Sequence, residues 1–207
     1  TETYQIVITN GSDDEAYAVP TGSYELRGEA GFNVYPVDAS AAALQAAIKN
    51  SAINEINLEN PITSVGLGFE VNRDLVFNMN NEEFNAGSTA NSYWYALEIG
   101  GTSQVEINDA NFTRAGVFAG GEADVVFNSG IINHKPERTS RYIFCANEKS
   151  TITIVDGTFY NDRAKNSYFW ADAEAIIYVK GGNFGGVASN KKVVTSNGGK
   201  VIISGGT

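Results

Sequence analysis

The stretch TITIVDGTF, residues 151–159, decides how this chain folds, because the sequence writes the same layout several times. QVEINDANF (104–112), DVVFNSGII (124–132) and IIYVKGGNF (176–184) repeat it, and KVIISGGT (200–207) reads as the start of another copy. VFNMNNEEF (76–84) is an earlier, looser version. The closing residues Phe84, Phe112, Ile132, Phe159 and Phe184 stand 28, 20, 27 and 25 residues apart, a mean of 25. A period of this length, built from short alternating runs and glycine turns, marks a solenoid.

Counting back from each closing residue exposes two apolar columns. Five places back stand Met79, Ile107, Phe127, Ile154 and Val179; seven places back stand Phe77, Val105, Val125, Ile152 and Ile177. Val201 and Ile203 continue both columns. The position between them is mixed: Asn78, Glu106, Val126, Thr153, Tyr178, Ile202. A spacing of two puts the apolar columns on one face of a strand and the mixed one on the other. Two residues before the close come Gly130, Gly157, Gly182 and Gly206, where a turn conformation is expected that a side chain opposes. A second apolar run precedes each copy, at 69–71, 96–99, 116–118, 142–145, 168–170 and 192–194. Each unit therefore reads as strand, turn, strand, glycine corner, loop. That is one coil of a right-handed parallel β-helix, with six to seven coils stacked about 4.8 Å apart over a continuous core. An antiparallel sandwich also has many short strands, but it does not return the same two columns at the same offsets.

Composition agrees. The chain has 207 residues, 22 of them glycine, and charged residues make up 18%. A formal net charge of −10 argues against general nucleic-acid binding. No run of 18 or more apolar residues is present, so no membrane-inserting helix is expected. The single Cys145 lies in a strand column and reads as a small buried hydrophobe. No signal peptide is read, and the chain looks like a fragment or processed product.

Residues 1–34 do not follow the repeat. They read as lead-in strands, 4–9 and 23–27, or as the tail of a preceding module. The acidic run Asp13, Asp14, Glu15 is taken as a solvated loop, since it lacks calcium-loop spacing. Residues 35–207 are expected to form a capping helix followed by the solenoid. The helix, DASAAALQAAIKN (38–50), starts at Asp38 or Ser40 and ends at Asn50; Leu44, Ala47 and Ile48 share one face. It is assigned the task of closing the first coil, whose apolar end and open strand edge need a cover.

A short Ala/Leu helix, the INL strand (56–58), the run FEVNRDLVFNMN (69–80) and glycine corners such as ISGGT (203–207) resemble the pectate-lyase-like right-handed β-helix superfamily. More narrowly, they are similar to modules of bacteriophage virion proteins and of gut bacterial surface proteins. The resemblance covers residues 35–207 and bears on fold; one fold hosts many functions.

The loops after each close, 85–92, 113–115, 133–141, 160–167 and 185–192, are expected to project on one side. The last four hold Arg114, Lys135, Arg138, Arg141, Arg163, Lys165, Lys191 and Lys192, eight of the 14 basic residues. An acidic rod with a basic edge offers a contact surface for an anionic glycan or an acidic neighbouring protein; solubility alone also explains loop lysines and arginines. The aromatic runs NSYWY (91–95) and NSYFW (166–170) place Tyr93, Trp94, Tyr168 and Trp170 near the same edge, as a glycan platform or as part of the packed interior.

The superfamily includes polysaccharide lyases and hydrolases, which implies a test for catalysis. The hydrolase motifs NTD, GHG and RIK are absent, and the one DD pair lies outside the repeat at Asp13 and Asp14. The lyase pattern R-x-P-x-x-R meets NHKPER (133–138) only loosely: His134 replaces the first arginine and Arg138 falls one place early. Asp109, Asp124 and Asp156 do not share a column, and no zinc or phosphate-loop spacing occurs. The expectation is therefore no catalytic residues, no metal and no cofactor. The reading is a non-enzymatic spacer and binding module of a bacteriophage fibre, tail or head decoration, on the virion surface or otherwise extracellular. Its partners would be other virion or surface proteins and an anionic glycan, with a trimer as one compatible homo-oligomer. A bacterial adhesin module and a polysaccharide lyase or glycoside hydrolase are the alternatives.

Overall fold

Period-two alternation gives each short strand one apolar row, and a coil of such strands can bury that row only against its own interior and the coils above and below. The computed structural model describes residues 41–65, 68–87, 95–134, 142–161, 167–185 and 194–207. The lead-in 1–34 and the helix-start candidates Asp38 and Ser40 lie outside the described residues. The described residues form one helix, α1 (Ala41–Lys49), and nineteen strands.

The strands come in triplets. The first is β1 (Glu55–Asn57), β2 (Ile62–Val65) and β3 (Phe69–Val71); the second is β4 (Leu75–Asn78), β5 (Phe84–Gly87) and β6 (Leu97–Ile99). Next come β7 (Gln104–Asn108), β8 (Ala110–Phe112) and β9 (Val117–Ala119), then β10 (Asp124–Phe127), β11 (Gly130–His134) and β12 (Tyr142–Ala146). The fifth is β13 (Thr151–Ile154), β14 (Thr158–Asn161) and β15 (Ser167–Asp172), and the sixth is β16 (Ile176–Val179), β17 (Asn183–Gly185) and β18 (Val194–Asn197). β19 (Lys200–Ile203) opens a seventh. First strands pair only with first strands, giving a seven-stranded sheet, and second and third strands give two six-stranded sheets. The strand pairs of all three sheets are parallel, as in β10–β13, β11–β14 and β12–β15. This is a parallel β-helix with three faces.

The expected columns are real. Val105, Val125, Ile152, Ile177 and Val201 lie in one register row, and Ile107, Phe127, Ile154, Val179 and Ile203 in another. From Val105 to Val179 the members of both rows are buried. Two expectations need correction. Met79 does not belong to the Ile107 row, nor Phe77 to the Val105 row; Leu75 pairs with Val105 and Phe77 with Ile107. Phe84 nevertheless pairs with Phe112. Two extra residues at this corner, Asn80 and Asn81, absorb the offset at φ 51° and 60°, where the third coil uses Asp109 alone at φ 49°. Second, no loop follows the glycine corner directly. The closing residues sit inside the second sheet, whose inward row is Ile62, Phe84, Phe112, Ile132, Phe159 and Phe184.

That row meets the third sheet's Phe144 and Phe169 inside the rod. Phe127 and Phe159 both lie edge-on or tilted to Phe144, at 5.4 and 5.3 Å from it, and Phe159 stacks on Phe184 at 5.0 Å. Burying each such ring contributes about 2–3 kcal/mol from area alone.

The helix closes the rod as expected. Leu44, Ala47 and Ile48 are buried and α1 packs on β2 and β3. Its last carbonyls would lack partners. Arg73, in the link between β3 and β4, donates from Nε to the Ile48 carbonyl at 2.6 Å and from Nη2 to the Ala47 carbonyl at 3.0 Å. A guanidinium also suits the negative end of the helix dipole.

Candidate binding surface

The third sheet alternates inward Phe144 and Ala146 with outward Cys145, and inward Phe169 and Ala171 with outward Trp170. Phe118, Cys145 and Trp170 therefore form one outward row across three coils. Trp170 is half-buried and stacks on half-buried Tyr142, ring centres 5.0 Å apart at 27°. Tyr95 lies over Phe118 at 5.6 Å. The result is an aromatic strip on an outer face, at the edge where the expected loops enter.

Cys145 faces outward yet is only 8% exposed, because the strip covers it. Burial pushes its thiol up to about 11, with the Tyr95 hydrogen bond pulling the other way and Asp172 adding to the rise. Burial likewise holds the Tyr95 phenol well above its ordinary value, with smaller additions from Cys145, Tyr142 and Glu98. Neither group ionises near neutrality, so the strip presents apolar ring surface and a thiol that is protonated.

The expected site residues divide sharply. Trp170 is on the strip. Tyr168 is not: it is 4% exposed, lies edge-on to Phe184 at 5.5 Å, and its hydroxyl donates to the Gly185 carbonyl. It turns into the corner between the second and third sheets, so it belongs to the interior and not to a glycan platform. Arg114 lies in the four-residue link between β8 and β9 and is partly buried. In that link a Cβ on Gly116 would come within 1.8 Å of the Ile143 carbonyl oxygen. Lys135, Arg138, Arg141, Arg163, Lys165, Tyr93 and Trp94, with Lys191 and Lys192, lie outside the described residues.

His134 is fully buried, in register with the equally buried Asn161 on the neighbouring strand. With Ser64 these polar side chains sit at the end of the second sheet, inside the rod. The histidine that invited comparison with a lyase motif is thus enclosed by the fold.

Two features were missed. One is an asparagine ladder at the corner after the first sheet. Asn128 donates to Asn108, Asn108 to Asn78 and Asn78 to Asn57, at 2.8, 2.8 and 2.7 Å, and Asn78 also donates to Glu55 at 2.6 Å. The signal was available: an asparagine follows Ile56, Phe77, Ile107 and Phe127 directly. The other is the outward strip itself, since Phe118 and Cys145 read as members of apolar runs with no stated side. Among the described residues no group of three or more His, Cys, Asp or Glu side chains could hold a metal ion.

Comparison of the chain with family models, with curated proteins and with solved structures returned no match. The fold therefore stands on its own geometry.

Proposed function

We propose that this chain is a non-enzymatic rigid spacer carrying a binding face, a module of a bacteriophage virion appendage or decoration that touches a glycan or host surface. The observation that carries the spacer reading is the unbroken stacking. Three parallel sheets stack over successive coils, and their inward rows form one continuous apolar cluster. Such a rod transmits position and load without a hinge, since each coil is held by both neighbours.

The binding reading rests on Tyr142 and Trp170. A stacked aromatic pair, partly open to solvent on a flat sheet, matches the apolar face of a sugar ring and orders few rotors on binding. Glycan-array screening followed by calorimetry tests it. A hit should weaken at least about tenfold in Trp170→Ala, the loss of one well-used aromatic contact. Charge reversal at Arg138, Arg163 and Lys165 separates the basic edge from the strip: loss there and not in Trp170→Ala moves the site to the loops. Incubation with pectins, alginates and capsular polysaccharides is the control on catalysis; unsaturated products or new reducing ends would overturn the non-enzymatic reading.

A further inference from the structure

The outer face of the first sheet sorts its charges along the rod. Asp74, Glu106 and Asp124 are exposed on the outer rows at β4, β7 and β10. Lys180 and Lys200 are exposed at the β16 and β19 end. Among the described residues these rows carry no basic side chain from β4 to β10 and no acidic one from β13 to β19. The basic end is also the apolar one: Ile202 is 44% exposed beside half-buried Tyr178.

We propose that this face is an interface with a second copy of the chain, the two rods packed face to face and antiparallel. A two-fold axis along the strand direction, between β10 and β13, reverses the rod and keeps each outer row over itself. It brings β19 over β4 and β16 over β7 of the second copy. Lys200 then faces the second copy's Asp74, Ile202 faces Val76, and the Tyr178 hydroxyl faces the Glu106 carboxylate. Charge meets opposite charge and apolar meets apolar, twice over, because an isologous contact repeats every pair. A two-fold axis along the rod instead sets Glu106 against its own copy, so charge chooses the antiparallel arrangement. Six strands at about 4.8 Å spacing give a contact only about 24 Å long, so the dimer is weak and sensitive to salt.

Sedimentation velocity over a concentration series at low and high salt tests this on the full chain. The wild type should dimerise at low salt and dissociate as salt rises. K180E/K200E alone and D74K/E106K alone should each associate at least about tenfold more weakly, since position 200 then faces position 74 with like charge in either variant. An equimolar mixture of the two should recover the dimer, because each reversed end meets its complement in the other chain. Circular dichroism melts establish first that both variants are folded. A wild type that stays monomeric at every concentration overturns the proposal. So does a folded pair that fails to complement, or association indifferent to both reversals.

Discussion

Alanine at Gly101 and alanine at Gly121 meet the same backbone angle and different surroundings. Both glycines have φ +69°, at equivalent turns of successive coils. Leaving glycine at such an angle costs about 1–2 kcal/mol wherever it occurs. A Cβ at Gly101 would meet nothing within 4 Å, so that cost is the whole effect. A Cβ at Gly121 would stand 2.7 Å from the Gly101 carbonyl oxygen and 3.1 Å from its nitrogen, atoms of the coil beneath. The obstacle is backbone, so it cannot swing aside, and such overpacking adds about 1–3 kcal/mol. Gly101→Ala should therefore lose about 1–2 kcal/mol and Gly121→Ala about 2–5 kcal/mol. Urea unfolding followed by circular dichroism reads both, with an unchanged m-value as the check that the same structure is lost. Equal losses at the two positions would refute the reasoning, because only coil-on-coil stacking distinguishes them.

Other outcomes follow from the same geometry. Arg73→Ala removes two charged hydrogen bonds from the end of α1 and should cost about 2–3 kcal/mol in urea melts, with Arg73→Lys recovering only part. Asn108→Ala breaks the ladder on both sides, stranding Asn78 and Asn128; a loss of about 1–2 kcal/mol is expected, against a few tenths for the exposed Glu106→Ala one row away. The raised Cys145 thiol gives a pH dependence of definite sign. The folded state binds its proton more tightly than the unfolded chain, so this stability is complete below about pH 9 and is lost as pH climbs through about 11. Melting temperature should fall over that window, and Cys145→Ala should flatten the fall; a Tm that rises there contradicts the burial of the thiol.

How much could be read beforehand differs from element to element, for physical reasons. The rows through Val105, Val125, Ile152 and Ile177 were legible because each stands two residues from a second apolar residue, and the spacing recurs with the same flanks. The extension to Val201 and Ile203 followed from the same rule. The second coil misled because Asn80 and Asn81 add two residues at a corner, and counting back from Phe84 carries that insertion into the rows. The second sheet escaped because its strands are short and their outward positions are Asn111, Thr158 and Asn183, residues that read as turn. Tyr168 and Trp170 show the limit at the candidate site. They stand two apart in one aromatic run, yet a corner turns one inward and leaves the other outside, and nothing in the run encodes the bend. The ladder and the charge sorting were both present in the sequence. They become visible only once the register says which residues are neighbours.

Spin labels at Glu55 and Tyr178, with Cys145 replaced by alanine, measure the stacking itself. Glu55, Val76, Glu106, Val126, Thr153 and Tyr178 form one outward row. Five coil spacings of about 4.8 Å put the labelled backbones about 24 Å apart, and moving the first label from Glu55 to Glu106 shortens this to about 14 Å. Pulsed dipolar spectroscopy on the first pair, with line broadening on the second, should return that step-wise decrease. Separations that do not shrink as coils are skipped would contradict the parallel stack on which the whole account rests.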